Sequence, residues 1–224
     1  MNAQIGGRER EIEITLGNAV LYGSRTLVPG APGLVLFVHG SGSSRLSSRN
    51  RAVARDLQAG RLSTLLFDLL SEDEERIDEV TRELRFDIAL LTERVIGVTG
   101  WLREQPDTRE LPIGYFGAST GAAAALRAAA HFAHEPGVIG AVVSRGGRPD
   151  LAMEELPLVA APTLLIVGGE DRQVIELNRR AFAGLTAVKD LQIVPGATHL
   201  FEAPGTLEEV SRLAREWFQR YLAT

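Results

Sequence analysis

The 224-residue sequence predicts an α/β fold: a mostly parallel, doubly wound sheet with helices on both faces and an N-terminal antiparallel hairpin. Three observations predict it. Short, continuous apolar runs recur along the chain, as expected of strands buried on both faces of a parallel sheet. Longer segments with helical spacing separate them. Ahead of them lies a stretch that alternates at period two around a turn.

The hairpin is read at residues 12–16, where apolar residues alternate with polar ones, then Gly17-Asn18 as the turn and 19–28 as the return strand. Residues 29–33, with two prolines and two glycines, end it. The apolar runs read as strands are 34–38, 63–67, 113–116, 138–143, 163–167 and 191–194. Residues 86–102 have helical spacing and stop before Pro106, and 207–221 form a closing amphipathic helix. Only about 20 residues separate the strand ending near Val143 from the one starting near Thr163, too few for a large cap domain. An open site is therefore expected. The acidic run 71–76 is read as the solvated approach to a helix N-terminus, which favours acids, in preference to a mobile flap.

Composition sets outer bounds. The length suits one domain spanning 1–224, and 45% hydrophobic content is ordinary for a globular protein. A net charge of −5, with no basic stripe, excludes a nucleic-acid-binding surface of the usual kind. With no cysteine, neither a disulfide nor a thiolate metal site can form, which fits a cytoplasmic setting. The polar N-terminus lacks the apolar core of a secretory signal. The longest low-polarity stretch, 121–130, is interrupted by Arg127 and falls short of the ~20 residues of a membrane span, so no membrane partner is expected.

Chemistry concentrates at three places, each after a strand. Gly117-Ala118-Ser119-Thr120-Gly121 follows the 113–116 strand and precedes an Ala-rich helix. That context puts Ser119 on a sharp strand-to-helix turn, where a hydroxyl can be exposed as a nucleophile, with glycines where a Cβ would collide. Gly168-Gly169-Glu170-Asp171 follows the 163–167 strand and offers Asp171 as the orienting acid. Pro195-Gly196-Ala197-Thr198-His199 follows the 191–194 strand and offers His199 as the base. Separately, each has a plain structural alternative: a helix start, a strand end, a satisfied loop histidine. Their joint occurrence in the order Ser, Asp, His argues against coincidence. Asp150 and, less so, Asp68 are rival acids. His131 and His134 have a metal-pair spacing but lack a third ligand, so they read as surface residues.

Those three segments, together with His39-Gly40-Ser41-Gly42 after the 34–38 strand, resemble the α/β-hydrolase superfamily, and within it the small, cap-poor, dienelactone-hydrolase-like members, from about Leu34 onward. The resemblance implies an α/β-hydrolase fold and acyl transfer through Ser119, His199 and Asp171. It further implies an oxyanion hole from the main chain of Thr120 and Ser41, with His39 shaping that loop. One departure stands out: dienelactone hydrolases use a cysteine nucleophile, and this chain has none.

The expected activity is that of a serine hydrolase cleaving small carboxylic esters, a carboxylesterase or lactonase without metal or other cofactor. Thioesterases, C–C hydrolases, acyltransferases and perhydrolases would share the machinery. A non-catalytic module of the same fold that binds a ligand or partner is the alternative of another class. Arg45 and Arg49 lie in the loop after His39-Gly40, and Arg145 and Arg148 after the 138–143 strand, at strand ends where ligands bind in open α/β sheets. Arg45 and Arg145 are the candidate clamps for an anionic or polar small ester. The opposing expectation is that these arginines pair with Asp68, Asp150 or the acidic run.

Overall fold

A computed structural model describes residues 7–223; residues 1–6 and 224, and with them the start of the polar N-terminal stretch, lie outside the described residues. The elements run β1 (Glu9–Leu16), β2 (Ala19–Thr26), β3 (Leu34–Val38), α1 (Ser48–Ala59), β4 (Ser63–Phe67), α2 (Glu72–Thr81), α3 (Ile88–Glu104), β5 (Ile113–Ala118), α4 (Thr120–His131), β6 (Ile139–Arg145), β7 (Thr163–Gly168), α5 (Arg172–Gly184), β8 (Lys189–Val194) and α6 (Thr206–Leu222). They form one sheet in the order β1-β2-β4-β3-β5-β6-β7-β8. β1 and β2 pair antiparallel as the predicted hairpin, and β2 pairs antiparallel with β4. From β4 to β8 every pairing is parallel.

The unbroken apolar runs follow from burial on both faces. Within β3, Leu34, Leu36 and Val38 pack on one side with Leu91, Val95 and Val98 of α3 and the alanines of α4. Val35 and Phe37 pack on the other side with Val53 and Leu57 of α1 and Val210 and Phe218 of α6. Each such fully buried side chain is worth ~1.5–3 kcal/mol relative to exposure, so the two faces together drive the fold. Small residues let helices approach: a Cβ on Gly114 of β5 would lie 2.6 Å from the Phe218 ring.

Boundaries shift where polar residues take over. β6 continues through Ser144 and Arg145, which pair with Gly117 and Ala118 on one side and Leu165 and Ile166 on the other. The apolar run ends earlier than the strand. α3 starts at Ile88 because the Asp87 side chain accepts from the Leu90 N–H at 3.0 Å, while Leu84–Phe86 is a separate 3-10 turn. Residues 146–162 between β6 and β7 carry two 3-10 turns, Pro149–Ala152 and Leu156–Leu158, and no large cap. The acidic run becomes the first turn of α2, whose N-cap Ser71 forms a reciprocal box with Glu74. No helix among the described residues is long and apolar enough to cross a membrane.

Candidate active site

Ser119 sits between β5 and α4 with φ 49° and ψ −123°, in the positive-φ region that residues with a Cβ avoid. Such a conformation costs about 1–3 kcal/mol and persists only when its surroundings impose it. Here they do. A Cβ on Gly121 would lie 2.3 Å from the Val38 carbonyl oxygen, and one on Gly117 2.5 Å from Ala122 Cα, so only glycine lets α4 meet β3 and β5 this closely. The Ser119 N–H donates to the Arg145 carbonyl at 3.2 Å, and its own carbonyl accepts from the Arg148 N–H at 3.0 Å. Ser119 is partly exposed while its neighbours on both sides are buried.

Asp171 ends the turn after β7 and caps α5, and His199 lies in the loop between β8 and α6. His199 Nδ1 and Asp171 Oδ2 are 2.7 Å apart. Because a carboxylate only accepts, Nδ1 carries the proton, which leaves the Nε2 lone pair of the neutral ring free to accept one. The segment leaving β6 touches both residues of interest: Arg145 and Arg148 hold the Ser119 peptide, and between them a Cβ on Gly146 (φ +51°) would lie 3.5 Å from the His199 ring. The rival acids are engaged elsewhere. Arg148 grips Asp150 with two bonds of 2.8 Å, and Asp68 is taken by Arg45.

The loop after β3 lies against the same turn. A Cβ on Gly40 would be 3.0 Å from Ser119 Cβ, and the Ser41 N–H donates to Thr120 Oγ1 at 2.9 Å. The Thr120 N–H opens α4 and has no intrahelical acceptor. Buried His39 ties this loop to the one after β4: the Leu69 N–H donates to Nε2 at 3.1 Å, so Nδ1 must be the donor to the Gly40 carbonyl at 2.9 Å. Burial holds its pKa below the ordinary 6.5. A narrow cleft beside the loop is lined by Ser41, Leu69, Leu70 and Leu91 together with the charged Glu75, Asp78 and Arg85.

The arginines divide. Arg45 is no free clamp: its guanidinium bonds Asp68 at 2.5 Å and Glu11 at 3.2 Å and stacks over Tyr22. Asp68 also accepts the Arg45 N–H at 2.7 Å, which folds that loop back onto β4. Arg145 is 8% exposed and joins no ion pair among the described residues, and the cation that bears on it is Arg49, in the first turn of α1. The sequence reading missed this Arg49–Arg145 juxtaposition and the grip of the Thr120 hydroxyl on Ser41, since both depend on how distant segments meet. His131 and His134 are exposed, and no group of three metal-ligating side chains occurs among the described residues.

The sheet order, hairpin and helix placement define the α/β-hydrolase class. The chain is 55% identical to a dienelactone hydrolase from Anabaena variabilis, covering 96% of this chain and 98% of that one, with a TM-score of 0.93. It belongs to the α/β-hydrolases, among the dienelactone-hydrolase-like members. Est1E from Butyrivibrio proteoclasticus shares the fold at TM-score 0.79 and 15% identity over 96% of this chain and 99% of its own. Two Mycobacterium tuberculosis proteins, named provisionally as phosphoribosyl transferases, are 56% identical over 216 residues, 96% of this chain. The chain spans about half the length of these curated relatives, 47%. No protein-family model matches it.

Proposed function

We propose that this chain is a serine hydrolase cleaving small carboxylic esters, with Ser119 as nucleophile, His199 as base and Asp171 as its orienting acid. The observation that carries the reading is the 2.7 Å His199–Asp171 contact at the sheet edge where Ser119 is held at φ 49°. In this reading His199 Nε2 takes the Ser119 proton as Oγ bonds to the ester carbonyl carbon. The Thr120 N–H receives the negative charge on the carbonyl oxygen, and the Ser41 N–H joins it by leaving the Thr120 hydroxyl. His199 then protonates the departing alcohol, and a water repeats the sequence to free the acid.

The name of the Anabaena relative makes small lactones the first substrates to try, with esters beside them. In the absence of cysteine the nucleophile is a hydroxyl. Phosphoribosyl transfer is named for proteins about twice this length, and the site geometry supports ester hydrolysis. The test is turnover of p-nitrophenyl acetate and butyrate by the native chain, Ser119→Ala and Asp171→Asn. Each substitution is expected to lower kcat by about 10⁴-fold or more. Hydrolysis undiminished in Ser119→Ala would remove the reading.

A further inference from the structure

Arg145 is a buried cation with no anionic partner among the described residues. Its Nε and Nη1 are sealed from solvent and meet no acceptor, and Nε of Arg49 is in the same state. Neither arginine joins an ion pair among the described residues, although Arg45, Arg51 and Arg148 around them all do. Burial, with the Arg49 charge added, draws the Arg145 pKa down from the ordinary arginine range to about 10, so it remains a cation at neutral pH. Water can satisfy orphaned N–H groups, but it cannot neutralise a buried guanidinium with a second, half-buried one near it.

Position gives the pair its meaning. Arg145 is paired in register with Ala118, its carbonyl accepts the Ser119 N–H, and the next residue packs on the His199 ring. Side chains alternate along β6, so Arg145 shares the face of Val143, beneath α1 and the loop that carries His199. A guanidinium at a strand end, with a second at a helix start close enough to act on its charge, offers the donors that the oxygens of a single carboxylate or phosphate need.

We propose that Arg49 and Arg145 form a half-buried oxyanion site beside Ser119, filled by a carboxylate or phosphate on the non-reacting end of the substrate. The assignment of this anion to a substrate rests on the hydrolase reading; the anion site itself does not.

The test has two arms. In the first, thermal unfolding of the full chain is followed with glutarate or with inorganic phosphate, against potassium chloride at matched ionic strength. One of the two anions raises the Tm of the native chain, and the larger rise tells carboxylate from phosphate. The rise disappears in Arg145→Met and in Arg49→Gln, the second variant covering a failure of the first to fold. In the second arm, the kcat/KM ratio of mono-p-nitrophenyl glutarate to p-nitrophenyl valerate is compared across the same chains. That ratio falls roughly tenfold to hundredfold in the variants, as expected for losing a charged hydrogen bond; if phosphate gives the larger Tm rise, a phosphate-bearing ester replaces the glutarate. The stabilising anion also inhibits valerate hydrolysis competitively. No stabilisation of the native chain by either anion, or a rise that survives both substitutions, overturns the site. Stabilisation with non-competitive inhibition, or an unchanged ratio, overturns its role in holding substrate. If no ester turns over at all, the hydrolase reading and the substrate assignment fall together, while the unfolding data still decide the anion site.

Discussion

His39 shows how one buried side chain can set a pH limit. Its ring accepts from the Leu69 N–H and donates to the Gly40 carbonyl, so only the neutral form with Nδ1 protonated fits both partners. Burial depresses its pKa in the folded state, whereas the unfolded chain titrates at the ordinary 6.5. Below that value the unfolded state binds the proton that the folded state refuses, so stability present above about pH 6.5 is lost as pH falls toward the folded pKa. Urea unfolding between pH 7.5 and 5 should show this decline, and His39→Gln should flatten it; an equal slope in both chains would contradict the assignment. Other residues were harder to read from sequence. Arg45 and Arg49 stand four apart with the same chemistry, the first in the loop after β3 and the second in the first turn of α1. Only the fold-back of that loop onto Asp68 separates a paired arginine from an unpaired one.

Between elements, the contact of α3 with β5 is specified by a buried hydroxyl pair. Thr99 Oγ1 donates to the Val95 carbonyl at 2.8 Å, so the Tyr115 hydroxyl, 2.7 Å away, must donate to Thr99. Thr99→Val strands a buried donor and should cost about 1–3 kcal/mol, while Tyr115→Phe should cost less, about 0.5–1.5 kcal/mol. Urea unfolding ranks the two, and the reverse order would contradict the assigned proton direction. Strands were the most legible elements, because apolar runs such as Leu34–Val38 and Ser63–Phe67 coincide with burial on both faces. Their ends were less so. β6 extends into Ser144 and Arg145, and β8 begins at Lys189 and Asp190, because backbone pairing continues where hydrophobicity stops. α3 starts two residues later than its periodicity suggests because a side-chain cap, Asp87, fixes the first turn.

Across the whole molecule, a parallel sheet gathers distant residues at one edge. Ser119 follows β5, Asp171 follows β7 and His199 lies beyond β8, so strand order sets all three at one edge, where Asp171 and His199, 28 residues apart in sequence, meet. That placement was legible from the chain, since each residue trails an apolar run and the order Ser, Asp, His is itself informative. What the runs could not convey is contact across the sheet edge, such as the Ser41 N–H on the Thr120 hydroxyl or Arg145 beneath α1. The central claim is that this assembly activates the Ser119 hydroxyl. The most direct measurement is labelling of the folded chain by a fluorophosphonate probe, with the adduct located by mass spectrometry and Ser119→Ala run beside it. A stoichiometric adduct on Ser119, absent from the variant, is the predicted result; a folded native chain that remains unlabelled, or an adduct that persists in Ser119→Ala, would contradict it.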